Sequence, residues 1–395
     1  GLWVRTGSRD ETPAQAGVSH FLEHLLFKGT PNYSAIEISE RFDGLGASFN
    51  AATGKETTHL YARFLDEHTS DVFSLLGEML LESTFPDIDS ERDVVLEEIA
   101  MYEDEPSDRV HDYLADAIFG DTPLGRRILG RAEVIADIPV PDIAAYDRAR
   151  YSANNIVVAA AGNVDHDQIH AMAESLAPGA GSGEETLVPQ VAAGRGSLQF
   201  AVKDTEQYHV CIGAPGINRA DERRFVLAVL DSILGGSSSS RLFTEVREKR
   251  GLAYSVGTYS EQFTDTGVVA TYVGTREDNV EAACEVIGNE LKRIQCEPVT
   301  ADELDRAREH VKGRLVLSGE STAARMARIG RAVLHDLPLL SLDEMLAKVD
   351  AVSVDDVSDL ADELFAEERL SAAAVGRDES RFQAAIGPVS EVLAA

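Results

Sequence analysis

Cysteine is nearly absent from this 395-residue chain: Cys211, Cys284 and Cys296 are odd in number and widely scattered. They build neither a disulfide framework nor a thiolate metal site, and they read as small buried or incidental residues in a reducing compartment. No apolar run approaches the roughly 18 residues needed to cross a bilayer, so no membrane span is expected. Basic residues are also scarce, 36 Lys and Arg against 68 Asp and Glu, for a net charge of −32. A chain without basic clusters is poorly suited to phosphate backbones, which argues against nucleic acid as a partner. The acidity reads first as a solvated surface and second as a cavity that draws in basic peptides. The start, Gly1-Leu-Trp-Val-Arg-Thr-Gly-Ser8, lacks the basic opening and apolar core of a signal peptide. It resembles the second half of a β-strand running into a turn. With no initiator Met, further residues are expected upstream, and the expected location is cytoplasmic.

What is present describes a globular protein, 44% apolar and too long for one ordinary core. The clearest break in composition is Leu176 to Gln190, rich in Gly, Pro, Ser and acid, which reads as an interdomain linker. The expected division is a first domain over 1–178, a linker over 179–196 and a second domain over 197–395. The two halves repeat one order of parts. In the first, helices are expected over Ala16–Lys28 and Ala35–Asp43, strands over Ala47–Ala52 and Thr57–Phe64, and helices over Asp66–Leu81 and Ser90–Asp104. A further strand is expected over Ile156–Ala161. In the second, Arg223–Leu234 and Ser240–Lys249 are helical, Tyr254–Ser260 and Gly267–Thr275 are strands, and Val280–Ile294 and Ala301–Ser318 are long helices. Gly44-Leu-Gly-Ala-Ser48 and Gly251-Leu-Ala-Tyr-Ser255 even share wording. Strands grouped with helices, without strict alternation, predict an α+β fold. It would consist of two homologous α/β sandwich domains, each a mostly antiparallel sheet covered by helices.

The chemistry-bearing stretch is His20-Phe-Leu-Glu-His24. Side chains four apart on a helix stand about 5–6 Å apart at Cβ, so both imidazoles can reach one ion. Zinc suits two nitrogens and a carboxylate, and keeps a fourth position for water. Glu23, beside them, is placed to take that water's proton and pass it to a leaving amine. This is the inverted form of the commoner His-Glu-x-x-His peptidase motif. The competing reading is two histidines on a solvated helix face. A third ligand would have to come from Ser90–Ile99, where Glu91, Glu98 and Glu105 recur every seven residues. Glu97 is the rival there.

At this point the chain resembles the pitrilysin clan, the M16 peptidases, whose members carry His-x-x-Glu-His and a ligand Glu on a later helix. Glu98 lies 74 residues beyond His24 and matches that ligand. The clan's supporting Glu, seven residues earlier, falls on Glu91. The flanking Gly7-Ser-Arg-Asp-Glu11, Phe27-Lys-Gly-Thr30, Pro123-Leu-Gly-Arg126, Ile128-Leu-Gly130 and Ala161-Gly-Asn-Val164 strengthen the match, which covers nearly the whole chain. Phe49-Asn50-Ala51 resembles the clan's substrate-facing edge strand. The resemblance therefore implies a peptide lying extended beside Asn50, Ala51, Ala52 and Thr53. Ser240 to Ser255 is a characteristic phrase, and within it Arg247 and Tyr254 match a pair that contacts the scissile carbonyl, as oxyanion stabilisers. The second half has no metal motif. Domain size points to the short-chain branch, similar to bacterial processing proteases and the mitochondrial processing peptidase β-subunit.

The resemblance thus implies a zinc metalloendopeptidase with one Zn2+ per chain, acting on peptides or unfolded, presequence-like polypeptides held in a closed chamber. It implies a homodimer or a heterodimer with an inactive homologue. The alternatives are a non-catalytic assembly subunit of the same fold and a metal-sensing or storage module. His59 and His68 read as ordinary polar residues. Gly235-Gly-Ser-Ser-Ser-Ser240 lacks the Lys a P-loop requires and reads as a turn.

Overall fold

A computed structural model of the chain describes residues 1–181, 183 and 196–394. In chain order they form β1 (Leu2–Val4), α1 (Val18–Leu25), α2 (Ala35–Gly44), β2 (Ser48–Thr53), β3 (Thr58–Arg63), α3 (Thr69–Leu81), α4 (Ile88–Glu103), α5 (Pro106–Phe119), α6 (Ala132–Asp137), α7 (Val140–Arg150), β4 (Ile156–Val158) and α8 (His166–Ala180). There follow β5 (Leu198–Val202), β6 (Gln207–Gly216), α9 (Arg224–Leu234), β7 (Ala253–Gln262), β8 (Gly267–Arg276), α10 (Val280–Cys296), α11 (Ala301–Ser318), α12 (Thr322–Leu334), α13 (Leu342–Asp350), α14 (Val354–Leu364), β9 (Ser371–Gly376), α15 (Glu379–Ile386) and α16 (Glu391–Ala394). No helix among the described residues is long and apolar enough to cross a membrane.

Two compact units result. The first comprises Gly1–Met101, Arg126–Pro189 and Ser318–Leu339, and the second Tyr102–Gly125, Gln190–Leu317 and Leu340–Ala395. Division by chain order, at 178 and 197, assigns two segments differently. α5 follows the first half in sequence but packs on β6 and β9, and α12 follows the second half but packs on β1 and β4. Each is an amphipathic helix that covers a sheet face formed by the other half of the chain. Most of the expected linker lies outside the described residues; its opening stretch does not, because α8 continues through Pro178 to Ala180.

In the first unit the sheet order is β2-β3-β1-β4, antiparallel throughout, with Leu2 opposite Leu60 on one side and Val158 on the other. One face carries α1, whose Val18, Phe21, Leu22 and Leu25 are fully buried against β2, α3 and α4 side chains. Burying a side chain of this kind is worth roughly 1.5–3 kcal/mol, so the apolar stripe fixes which face of α1 turns outward. The opposite face carries α12. There Trp3 Nε1 donates to Met326 Sδ at 3.2 Å, and a Cβ on Gly330 would stand 2.3 Å from that ring nitrogen.

In the second unit the order is β5-β9-β6-β8-β7, with β5 parallel to β9 and the other pairs antiparallel. Both faces of β6 are covered. Cys211 faces Leu114 and Ile118 of α5, while Val210 and Ile212 face Leu230, Ile287 and Leu360. The segment expected as a helix over Ser240–Lys249 contains a π-helical turn, Phe243–Glu248, with Lys249 N bonded to Thr244 O at 2.9 Å.

Candidate metal centre

α1 begins abruptly. Gly17, at φ +98°, precedes it, and a Cβ there would meet Leu129 O at 2.6 Å, so only glycine makes this entry. The Glu11 carboxylate accepts from Gly17 N and Ser19 N at 2.7 and 2.8 Å, satisfying two amide groups at the helix start. With the apolar stripe turned inward, the next face presents His20, Glu23 and His24. The ring centroids of the two histidines lie 4.7 Å apart.

α4 supplies the carboxylates from Glu91 and Glu98, two helical turns apart on one face. Glu98 Oε2 lies 3.6 Å from His20 Nε2 and 3.2 Å from His24 Nε2. Glu97 is exposed on another face. The seven-residue series stops at Glu98, because α4 ends at Glu103 and Glu105 caps α5 in the other unit. Glu91 is buried and accepts from His24 Nδ1 at 2.8 Å, while Lys28 Nζ lies 2.5 Å from its other oxygen. The imidazole is thereby oriented with Nε2 toward Glu98, the arrangement in which a carboxylate supports a ligand histidine.

The donor set fits zinc. The ligand atoms of His20, His24 and Glu98 lie within 4.8 Å of one another, and among the described residues they form the one such group of three. Bonds of about 2.0–2.2 Å to a tetrahedral ion place its ligand atoms about 3.3–3.6 Å apart. Of the two nitrogen-to-oxygen separations, 3.6 Å falls in that span and 3.2 Å just below it. Burial, aided by the charge of His24, holds His20 down to about 4, so near neutral pH its lone pair is free for a cation. His20 Nδ1 is buried without a hydrogen-bond partner.

Glu23 stands apart from this triangle. Its Oε2 accepts from Thr53 Oγ1 at 2.5 Å, and burial raises its carboxyl above the usual range, opposed chiefly by that hydrogen bond. Thr53 ends β2, which is the outer strand of its sheet. On that strand Ala51 is buried opposite Leu60, Ala52 is half-buried opposite His59, and Asn50 is exposed with its Oδ1 accepting from Ala51 N at 2.9 Å. His59 takes no part in the cluster. It stacks on Trp3 with centroids 4.3 Å apart, and His68 has Glu67 at 4.0 Å.

Arg247 and Tyr254 belong to the second unit. Arg247 Nη1 donates to Tyr254 O at 3.1 Å and its guanidinium lies 4.4 Å from the Tyr254 ring, which is 78% exposed. Three contacts escaped the sequence reading. Lys28 carried a signal, being four residues beyond His24. The pairing of Thr53 with Glu23, and of Phe243 with Arg247, depends on tertiary placement and left none.

Residues 1–132 match the family model described as insulinase, peptidase family M16, and residues 137–311 match the one described as the peptidase M16 inactive domain. The chain is 42% identical over 371 residues to an uncharacterized zinc protease of Streptomyces coelicolor, covering 91% of this chain and 81% of that protein. It is 40% identical over 370 residues to the uncharacterized zinc protease YmxG of Bacillus subtilis, covering 93% and 90%. Its fold is similar to a crystal structure of a peptidase M16 inactive domain from Pseudomonas fluorescens. That match has a TM-score of 0.90 at 22% identity, over 95% of this chain and 92% of that one.

Proposed function

The chain belongs to the M16 peptidase family, and on that premise we propose that it is a zinc-dependent endopeptidase acting on extended peptides or unfolded polypeptides. The observation that carries this reading is the convergence of His20, His24 and Glu98, with Glu23 beside them and outside the ligand triangle. Those three residues would hold the ion, and Glu91 would keep His24 in the tautomer that offers Nε2. When bound, zinc supplies Lewis acidity toward a water and a peptide carbonyl.

The chain's own residues do the rest. Glu23 accepts a proton from the attacking water and returns it to the leaving nitrogen. Burial raises its carboxyl above the usual range, which favours holding a proton between the two transfers, and Thr53 fixes the carboxylate that performs them. The outer position of β2 supports main-chain pairing with a substrate strand beside Asn50, Ala51, Ala52 and Thr53, a contact blind to most side chains. Arg247 and Tyr254, a cation and a phenol, are assigned to the oxyanion that develops on the scissile carbonyl. We assign the working form as a dimer, with itself or with an inactive homologue.

The test is hydrolysis of an unfolded polypeptide with and without chelator, in wild type and Glu23→Gln. Chelator-sensitive cleavage is expected in wild type. In Glu23→Gln turnover is expected to fall by at least about 1,000-fold, with zinc content unchanged, because the substitution removes the base and no ligand. Stoichiometric zinc without hydrolysis in wild type would instead identify an assembly subunit.

A further inference from the structure

Arg247 is held from both sides. Its guanidinium carbon lies 4.7 Å from the Phe243 ring centroid and 4.4 Å from that of Tyr254. Tyr254 accepts from Arg247 Nη1 through its backbone O at 3.1 Å, which anchors one end of the guanidinium, but its ring is largely exposed and closes only one face. Phe243 is half-buried, at the start of the π-helical turn that also carries Arg247, and its backbone N is tied to Ser240 Oγ at 3.3 Å. Inserted π-turns recur at functional sites, where they redirect a side chain. On the remaining side, Glu248 Oε1 lies 3.8 Å from Arg247 Nε. An arginine on a surface turn otherwise samples many rotamers, and the fewer it samples, the less ordering is left for the reaction to impose.

We propose that Phe243 is the positioning residue for Arg247, holding the guanidinium against Tyr254 so that the pair meets the scissile carbonyl already arranged. The inference rests on the roles assigned above to Arg247 and Tyr254. It makes Phe243 part of the machinery of the second unit without giving it contact with substrate.

Two measurements test it. In the metal-free protein, NMR of the Arg247 Nε–H group should show a lower order parameter in Phe243→Leu than in wild type, and Phe243→Tyr should restore it. An unchanged order parameter in Phe243→Leu would overturn the proposal. In peptide hydrolysis, Phe243→Leu should lower kcat about two- to fivefold with little change in KM. That is the rate equivalent of the roughly 0.5–1 kcal/mol held by a partly exposed cation–π contact. The same change in an Arg247→Ala background should have no further effect. Equal losses in both backgrounds would make Phe243 a packing residue and overturn the proposal. Wild-type turnover in Arg247→Ala would instead overturn the role assigned to Arg247, while the NMR result would still report whether Phe243 holds it.

Discussion

In the first unit the strands run β2-β3-β1-β4, and in the second β7-β8-β6-β9 repeats that order with β5 added outside β9. The helices repeat as well. α1 follows the central strand β1 as α9 follows β6, and α4 and α11 are each the second helix after the paired outer strands. α5 and α12 then stand in equivalent places, each contributed by one half of the chain to the unit built mainly from the other. Against that likeness, the chemistry divides sharply. Both helices bury an apolar stripe, but α1 adds His20, Glu23 and His24 beside it, where α9 carries no histidine or glutamate. α4 offers Glu98 and Glu91 to those imidazoles, where α11 spends Glu303 on an ion pair with Arg241, 2.8 Å away. One architecture therefore carries a candidate metal-binding face in one copy and a structural ion pair in the other, and the difference lies in a handful of side chains.

Removing the carboxylate that distinguishes α4 from α11 should erase the contrast most completely. Glu98→Ala is expected to weaken zinc binding by more than about 100-fold, beyond the about 10–100-fold typical of residues that only support a ligand. Glu97→Ala, one position along the helix and exposed, should leave affinity unchanged. Competition against a chelator of known affinity measures both, and a zinc loss in Glu97→Ala would reverse the assignment.

A smaller effect sharpens the role of the strand. Burial raises the Glu23 carboxyl and the Thr53 hydroxyl opposes it, so Thr53→Val should push it higher still. A base acts above its pKa, so the acidic limb of kcat/KM should move to higher pH, by about 0.5–1, with the alkaline limb in place. A shift toward lower pH would mean that Thr53 does not stabilise the charged form of Glu23.

These features were unequally legible in the sequence. His20, Glu23 and His24 stood out by placing two imidazoles four apart with an acid beside them, and the flanking segments that resemble the pitrilysin clan decided against a merely solvated helix face. Glu98 could be chosen over Glu97 by helical phase, and the two outer strands announced themselves by alternation and by the shared Gly-Leu wording before them. β6 left no comparable sign. Covered on both faces, Tyr208 to Pro215 is buried without interruption, and periodicity cannot distinguish such a run from a buried helix. The exchange of α5 and α12 was equally hidden, because each helix is amphipathic in its own right and nothing local says which sheet it covers. The π-helical turn reads as an ordinary helix, and Thr53 and Phe243 acquire their partners only when the chain has folded.

The central claim is that His20, His24 and Glu98 meet on one zinc ion. Anomalous diffraction from crystals of the zinc-loaded protein, recorded on both sides of the zinc absorption edge, tests it most directly. A single peak is expected about 2.0–2.2 Å from His20 Nε2, His24 Nε2 and a Glu98 carboxylate oxygen. Fully loaded protein whose zinc peak lies elsewhere, or which leaves these three side chains without an ion, would contradict it.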